Sequence, residues 1–411
     1  MNQVWETKKL GEVCGFVRGP FGGSLKKQIF VEDGFAVYEQ SHAIYNQFDK
    51  IRYFINDDKF KEMTRFELKP GNLIMSCSGT MGKIAIVPNG VKQGVINQAL
   101  LLLRPKKSLL NTFLKYWIES DGFQESLKAY SLGAAIQNVA SVKTLKEIQV
   151  FLPPIPEQKR IVKTLDKAFT AIDKAKANAE KNLQNNRELF DSYLSNVFDP
   201  STSSGQHNPG DDWEEKNWGD LCNFVRGPFG GSLKKTFFKS EGYVVYEQKH
   251  AIHDHFNNLR YFIDEDKFSE MKRFELKSGD IIMSCSGVTL GRVAVVPDKI
   301  PRGIINQALL KLTPSKGVSV LFLKYWLRSK MFQDIIIQYS GGAAIPNVPS
   351  VKILKEIIIS LPPYKEQENI VNNIELVLTE TKRLEAIYQQ KLNDLEELKN
   401  SILKKAFEGG L

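Results

Sequence analysis

"FVRGPFGGSLKK" occupies residues 16–27 and returns unchanged at residues 224–235. The repetition extends on both sides of that loop. "YEQ" at 38 returns at 246, "RYFI" at 52 at 260, "RFELK" at 65 at 273, and "MSCSG" at 75 at 283, always 208 residues later. One residue enters around Val288–Leu290, and the offset becomes 209. "INQALL" at 96 then returns at 305, "LKYW" at 114 at 323, "SVKTLKEI" at 141 as "SVKILKEI" at 350, and "LPPIPEQ" at 152 as "LPPYKEQ" at 361. Solenoid units run about 20–50 residues, so this is a whole domain and its tail written twice.

Each copy has two parts. The first, about 150 residues, mixes short strands with a few helices. "KIAIVP" (83–88) and "RVAVVP" (292–297) are β-branched runs ended by proline, the pattern of short strands. "NTFLKYWIESDGFQESLKAY" (111–130) carries apolar residues at helical spacing, with a glycine as its break. The expectation is a compact α+β domain. The second part reads as a long helix. It opens at "PPIPEQ", where proline suits a first helical turn and Glu157 the positive end of the dipole. Apolar or small residues recur at Ile161, Leu165, Ala168, Ile172, Ala175, Ala179 and Leu183, and after a polar step at Asn186 come Phe190, Tyr193 and Val197. The other copy gives Ile374, Val377, Thr381, Leu384, Tyr388, Lys391, Leu395, Leu398 and Ile402. Steps of three and four make a heptad-like seam. A single amphipathic helix of about 40 residues, roughly 60 Å long, buries such a stripe only against a similar helix, and the other copy is nearest.

Between the copies lies "DPSTSSGQHNPGDD" (199–212), a flexible connector by composition. Stretched fully, it spans at most about 50 Å, short of the helix length. It cannot return the chain for a parallel pairing. An antiparallel pair is expected, relating the copies by an approximate two-fold axis, as the dyad of duplex DNA relates inverted half-sites.

The formal net charge is +9 over 411 residues, which suits a polyanionic partner. The excess sits in the two globular blocks. Residues 1–150 hold 20 Lys/Arg against 14 Asp/Glu, and residues 209–359 hold 21 against 17. No run of about 18 apolar residues suggests a membrane span, and "MNQVWETKKLGEV" lacks the apolar stretch of a signal peptide. Cys14, Cys77, Cys222 and Cys285 form no CxxC pair and read as reduced, partly buried residues of a cytoplasmic protein.

Several loops carry candidate contacts. In "RGPFGGSLKK" the glycines admit close approach of backbone N–H groups, Lys26 and Lys27 suit phosphates, and Arg18 suits phosphate or guanine. A tight turn with a solvated basic edge is the alternative. "YEQSHA" and "YEQKHA" offer Gln40, His42, Gln248 and His250; glutamine reads adenine bidentately, whereas a loop histidine is more often a hydrogen-bonded surface residue. "SCSGTMGK" (76–83) lacks the GxxxxGK[ST] spacing of a nucleotide-binding P-loop, leaving Ser78, Thr80 and Lys83 as phosphate contacts. "INQAL" places Asn97 and Gln98 after a strand, either as contacts or as turn-stabilising amides. "HDH" (253–255) has no counterpart in the first copy and reads as surface histidines rather than a metal pair. No dinucleotide fingerprint, Asn-Pro-Pro-aromatic methylation motif, metal-ligand cluster or partnered nucleophile is evident. The candidate DNA-binding set is Arg18, Ser24, Lys26, Lys27, Gln40, His42, Ser78, Thr80 and Lys83, with Arg226, Ser232, Lys234, Lys235, Gln248, His250, Ser286 and Arg292.

"AIQNVASVKTLKEIQVFLPPIPEQKRIVKTLD" (135–166) and "AIPNVPSVKILKEIIISLPPYKEQENIV" (344–371) resemble the ends of the target recognition domains of type I restriction–modification specificity subunits, running into their helical regions. "SGTMGKIAIVP" (78–88) and the following "NQAL" resemble that family too, and the likeness covers essentially the whole chain. The copies differ within it at Gln137 and Pro346. The resemblance implies two similar recognition domains (1–152 and 213–361), separated by two long antiparallel helices (153–198 and 362–407) in a pseudo-two-fold repeat, with a linker at 199–212. It implies a non-catalytic subunit that reads a bipartite site on double-stranded DNA, one half per domain, the gap set by the helical spacer. Two methyltransferase subunits would dock beside the helices and carry S-adenosylmethionine; restriction/translocase subunits would bring ATP and Mg²⁺. This chain itself would bind no cofactor and no membrane. Because the two copies are near twins, the half-sites are expected to be nearly the same word in inverted orientation. The specificity chain of a related restriction–modification enzyme, a stand-alone two-headed DNA-binding regulator and a coiled-coil adaptor are the alternatives.

Overall fold

The computed structural model describes residues 5–21, 23–129, 141–198, 213–339, 346–408 and 410. The linker expected at 199–212, Gln137 and the openings of the stretches 135–166 and 344–371 lie outside the described residues. The chain divides into two units: Met1–Glu180 with Gln389–Leu411, and Lys181–Tyr388. Each unit therefore holds one globular domain and part of each long helix.

In the first unit, "MSCSG" begins within a strand buried at every position, Leu73–Ser76. Such a strand is covered on both faces, since successive side chains point oppositely. It lies inside an antiparallel sheet ordered Cys14–Arg18, Leu100–Pro105, Leu73–Ser76, Ile84–Ile86. Leu73 and Met75 join a core with Phe113, Trp117 and Ile161, while Ile74 joins another with Val17, Tyr38 and Leu102. One face thus carries helices and the other a second sheet, in which Phe35–Tyr38 pairs in parallel with Gly94–Ile96. The second unit repeats both sheets: Cys222–Arg226, Leu309–Pro314, Ile281–Ser284, Val293–Val295, and Tyr243–Tyr246 parallel to Gly303–Ile305. The described part of the stretch 111–130, residues 111–129, holds two helices, Asn111–Glu119 and Asp121–Ala129. They part at Ser120, whose extended backbone caps the first, just ahead of the glycine expected to break them.

The long helices run Ile155–Phe198 and Tyr364–Phe407. Each enters its domain through a buried glutamine. Gln158 Oε1 accepts from Leu110 N (2.9 Å), and its Nε2 donates to the carbonyls of Ser108 (2.9 Å) and Pro153 (2.8 Å). Gln367 makes the matching bonds with Ser319 N, Gly317 O and Pro362 O. Within the first unit, Ile161 and Leu165 share a core with Leu403 and Ala406. Lys399 Nζ lies over the Phe169 ring (5.3 Å), and Lys176 pairs with Glu396 (3.6 Å). Within the second, Asn186 meets Thr381, and Phe190, Leu194 and Phe198 share a core with Ile370, Val371 and Ile374. In each unit one helix descends as the other rises, the antiparallel sense expected.

The seam departs from its expected positions. Phe169, Leu194 and Phe198 are buried, where Ala168, Tyr193 and Val197 were expected to carry the seam. Lys391 is exposed and Leu398 is 47% exposed, whereas Leu403 and Ala406 are buried. A helix with 3.6 residues per turn drifts against a seven-residue repeat, and here its ends follow the globular core instead.

Candidate nucleic-acid interface

Four segments of the first domain meet at one end of its strands, joined by main-chain hydrogen bonds. Gly19 N donates to Leu100 O (2.9 Å), Asn97 N to Tyr38 O (2.9 Å), and Cys77 N to Ala99 O (2.9 Å). A side-chain bond adds the short helix Gln40–Tyr45, where Ser78 Oγ donates to Gln40 Oε1 (3.2 Å). The second domain repeats the first three bonds at Gly227–Leu309 (2.9 Å), Asn306–Tyr246 (3.0 Å) and Cys285–Ala308 (2.9 Å). Arg18, Gln40, Ser78 and the 97–99 turn are thus brought together although up to 81 residues separate them.

Gly19 is where the first loop crosses the 97–99 turn. A Cβ there would stand 1.8 Å from Asn97 O, and one at Gly227 would stand 1.9 Å from Asn306 O. Only glycine permits that approach. Beyond the crossing, Ser24 Oγ donates to Phe21 O and Ser232 Oγ to Phe229 O, each at 2.9 Å. Those serines close the turn rather than offer free hydroxyls. Arg18 lies over the Phe21 ring and Arg226 over Phe229, each 5.7 Å from guanidinium carbon to ring centre. Phe21 and Phe229 are 69% and 65% exposed. These phenylalanines were missed in the sequence, because a lone aromatic in a glycine-rich loop carries no periodicity; its identical recurrence was the available signal. Lys26, Lys27, Lys234 and Lys235 are exposed and enter no ion pair among the described residues. They share the loop with Phe21 and Phe229 but are not hydrogen-bonded into the cluster.

His42 and His250 require correction. Both are buried, at 1% and 0% exposure. Each ring Nδ1 accepts from the main-chain N of Glu39 or Glu247 (2.9 Å), closing a capping box at the helix start. The rings pack against Tyr38 and Tyr246. A ring spent on a helix cap in the core is withdrawn from base contact. Burial also depresses the His250 pKa, holding the imidazole neutral.

The "SCSGTMGK" loop is closed by Ser76, whose Oγ donates to Thr80 O (2.6 Å) and accepts from Lys83 N (3.0 Å). Thr80 and Lys83 are exposed beside it, as is Arg292 in the second copy. Ser286 is half-buried, and its carbonyl accepts from Gln248 Nε2 (2.5 Å). Asn97 and Asn306 take the turn-stabilising role, each Oδ1 accepting from a main-chain N two residues on (3.0 Å), while Gln98 and Gln307 are exposed. His253 and His255 stack at 5.7 Å. Among the described residues no group of three His, Cys, Asp or Glu is placed to hold a metal ion, and no helix is long and apolar enough to cross a membrane. Exposed cations, an exposed aromatic and half-buried amides on one loop cluster can bind phosphates, stack on bases and read base edges.

A family model described as the type I restriction modification DNA specificity domain matches residues 2–182 and again 210–397. The chain is 24% identical over 331 residues to the type I restriction enzyme EcoKI specificity subunit of Escherichia coli (strain K12), covering 75% of this chain and 68% of that protein. It is 24% identical over 402 residues to the putative type I restriction enzyme MjaX specificity subunit of Methanocaldococcus jannaschii, covering 93% and 89%. Its fold is similar to that of the HsdS subunit from Thermoanaerobacter tengcongensis, with a TM-score of 0.62, 18% identity and coverage of 100% and 98%. A chain solved in work on complex assembly and conformational transition of the type I R-M system gives a TM-score of 0.76 at 19% identity, covering 99% and 98%.

Proposed function

This chain belongs to the type I restriction modification DNA specificity family, and on that premise we propose that each of its loop clusters reads one half of a bipartite site on double-stranded DNA. It is a specificity subunit, and its task is recognition of DNA sequence. The recognition domains span 1–152 and 213–361, the helical spacers 153–198 and 362–407, and the linker 199–212. The paired helices set the gap between half-sites and dock two methyltransferase subunits, which supply S-adenosylmethionine; restriction/translocase subunits complete the assembly with ATP and Mg²⁺.

The observation that carries this reading is the duplicated convergence of the basic loop, the Gln40 or Gln248 amide and the 77–83 or 285–292 loop. Exposed Lys26, Lys27, Lys83, Lys234, Lys235 and Arg292 contact phosphates. Arg18 and Arg226, stacked on their phenylalanines, reach phosphate or guanine, and Gln40 and Gln248 read base edges. Ser78 and Ser286 hold those glutamines, Thr80 contacts phosphate, and Ser24 and Ser232 shape the basic loop. Near identity of the clusters supports half-words that are nearly the same and inverted. Mapping methylated adenines, the base the resemblance implies such methyltransferase subunits modify, in cells carrying this chain with its methyltransferase tests the proposal. A gapped, nearly inverted-repeat word is expected. Two unrelated half-words would overturn the near-symmetry, and methylation without any bipartite word would overturn the function.

A further inference from the structure

Gln40 and Gln248 occupy the same position in the two copies, at the first turn of the helices Gln40–Tyr45 and Gln248–His253. Their amides are wired oppositely. Gln40 engages through its oxygen, which accepts from Ser78 Oγ (3.2 Å). Its NH₂ has no partner among the described residues. An amide oxygen has two acceptor sites, so one remains open beside two free N–H donors. Gln248 engages through its nitrogen. Its Nε2 faces Ser284 Oγ (2.7 Å), Ser286 O (2.5 Å) and Thr289 Oγ1 (3.3 Å). A main-chain carbonyl only accepts, so it fixes which end of the amide turns inward. Two hydrogens face three acceptors, and only the Gln248 oxygen remains for a ligand.

The cause lies in the loop that differs between the copies. In the first, Ser76 Oγ donates to the loop carbonyl of Thr80 (2.6 Å). In the second, inserted Val288, fully exposed, lengthens the loop, and the corresponding Ser284 hydroxyl serves Gln248 instead. Gly287 N also donates to Pro346 O (2.9 Å). The two polar groups of a trans peptide point oppositely, so that bond turns the Ser286 carbonyl away from Pro346 and toward Gln248.

Building on the reading that these clusters contact base edges, we infer that Gln40 and Gln248 set different stringency at one equivalent position of the two half-words. Gln40 can donate to adenine N7 and accept from adenine N6 together, the bidentate pairing that singles out adenine in the major groove. Gln248 can only accept, and both adenine N6 and cytosine N4 donate there. The first domain therefore demands adenine, and the second admits adenine or cytosine.

The test is selection of duplexes from a pool randomised in both half-words, using the full chain, followed by titration of the selected words. For the parent, one position is expected to be strictly adenine in one half-word and shared by adenine and cytosine in the other. Deleting Val288 should sharpen the degenerate half-word toward adenine by about tenfold. Gln40→Glu, which keeps the acceptor and removes the donor, should relax the strict half-word at that same position, and it stands as an independent arm should the deletion fail to fold. Equal stringency in both half-words of the parent, or a Gln40→Glu half-word as strict as before, overturns the inference while the two-headed reading survives. A parent that enriches no word defeats both, a result recognisable before any variant is made.

Discussion

The side-chain amide of Asn186 donates to the main-chain carbonyl of Thr381 at 2.9 Å, between the long helices and 7% exposed. It is a polar pin beside a core that Phe190, Leu194 and Ile374 share. The carbonyl it uses is a helical one, so the bond depends on one vertical alignment of the two helices. A buried amide in a helix seam commonly fixes register at some expense of stability. Asn186→Leu should therefore leave the thermal midpoint equal to or above that of the parent, while Asn186→Ala lowers stability by about 1 kcal/mol. Differential scanning calorimetry of the two variants decides it; a Leu variant that melts well below the Ala variant contradicts the register role.

The buried glutamines where each long helix leaves its domain are expected to be among the costliest single sites. Gln158→Leu strands Leu110 N and two carbonyls, and Gln367→Leu strands Ser319 N and two more. Three groups are orphaned in each variant at about 1–3 kcal/mol apiece, so a loss of at least about 3 kcal/mol is expected for either. Urea unfolding measures the loss. Native-state hydrogen exchange should show the amide of Leu110 deprotected in the first variant and that of Ser319 in the second.

Lys26 and Lys27 stand outside any ion pair among the described residues, at the end of the basic loop. Replacing both with Ala should weaken binding to all duplexes alike. The slope of log K against log salt should fall by roughly 0.9 for each phosphate that the two ammonium groups neutralise in the parent. Fluorescence anisotropy at several salt concentrations reads this directly. An unchanged slope places the loop away from DNA.

Burial pushes the thiols of Cys14, Cys77, Cys222 and Cys285 up to about 12 from an ordinary value of 9.0. Between those values the unfolded chain has lost thiol protons that the folded chain keeps, so stability falls as pH rises from about 9 toward 12. Below about pH 8 the four thiols contribute almost no pH dependence. At pH 8 the native protein should resist iodoacetamide at all four, and the urea-unfolded protein should take up four labels. Mass spectrometry of intact protein separates the two results.

The fold was legible because it was written twice. Offsets of 208 and 209 exposed the duplication, each β-branched run marked one strand of a four-stranded sheet (Ile84–Ile86 and Val293–Val295), and the three-four spacing marked the two long helices, 44 residues each. Local signals stopped at positions whose environment is set by distant chain. His42 looks like a loop histidine, yet a capping box and Tyr38 draw it into the core. Leu398 fits the heptad but is exposed, because the helix end follows the domain core through Leu403 and Ala406.

The sequence by itself determined the duplication, the basic character of the two domains, the long helices and, through linker reach, their antiparallel sense. These follow from composition, periodicity and chain length, which are local or additive properties. Only the tertiary structure decided which loops share one end of the strands, and that the twin glutamines turn opposite ends of their amides inward. Hydrogen-bond partners of Gln40 and Gln248 lie 36 to 41 residues away in sequence. Which partner is reached depends on the path of a loop lengthened by one residue, and no local pattern records that path.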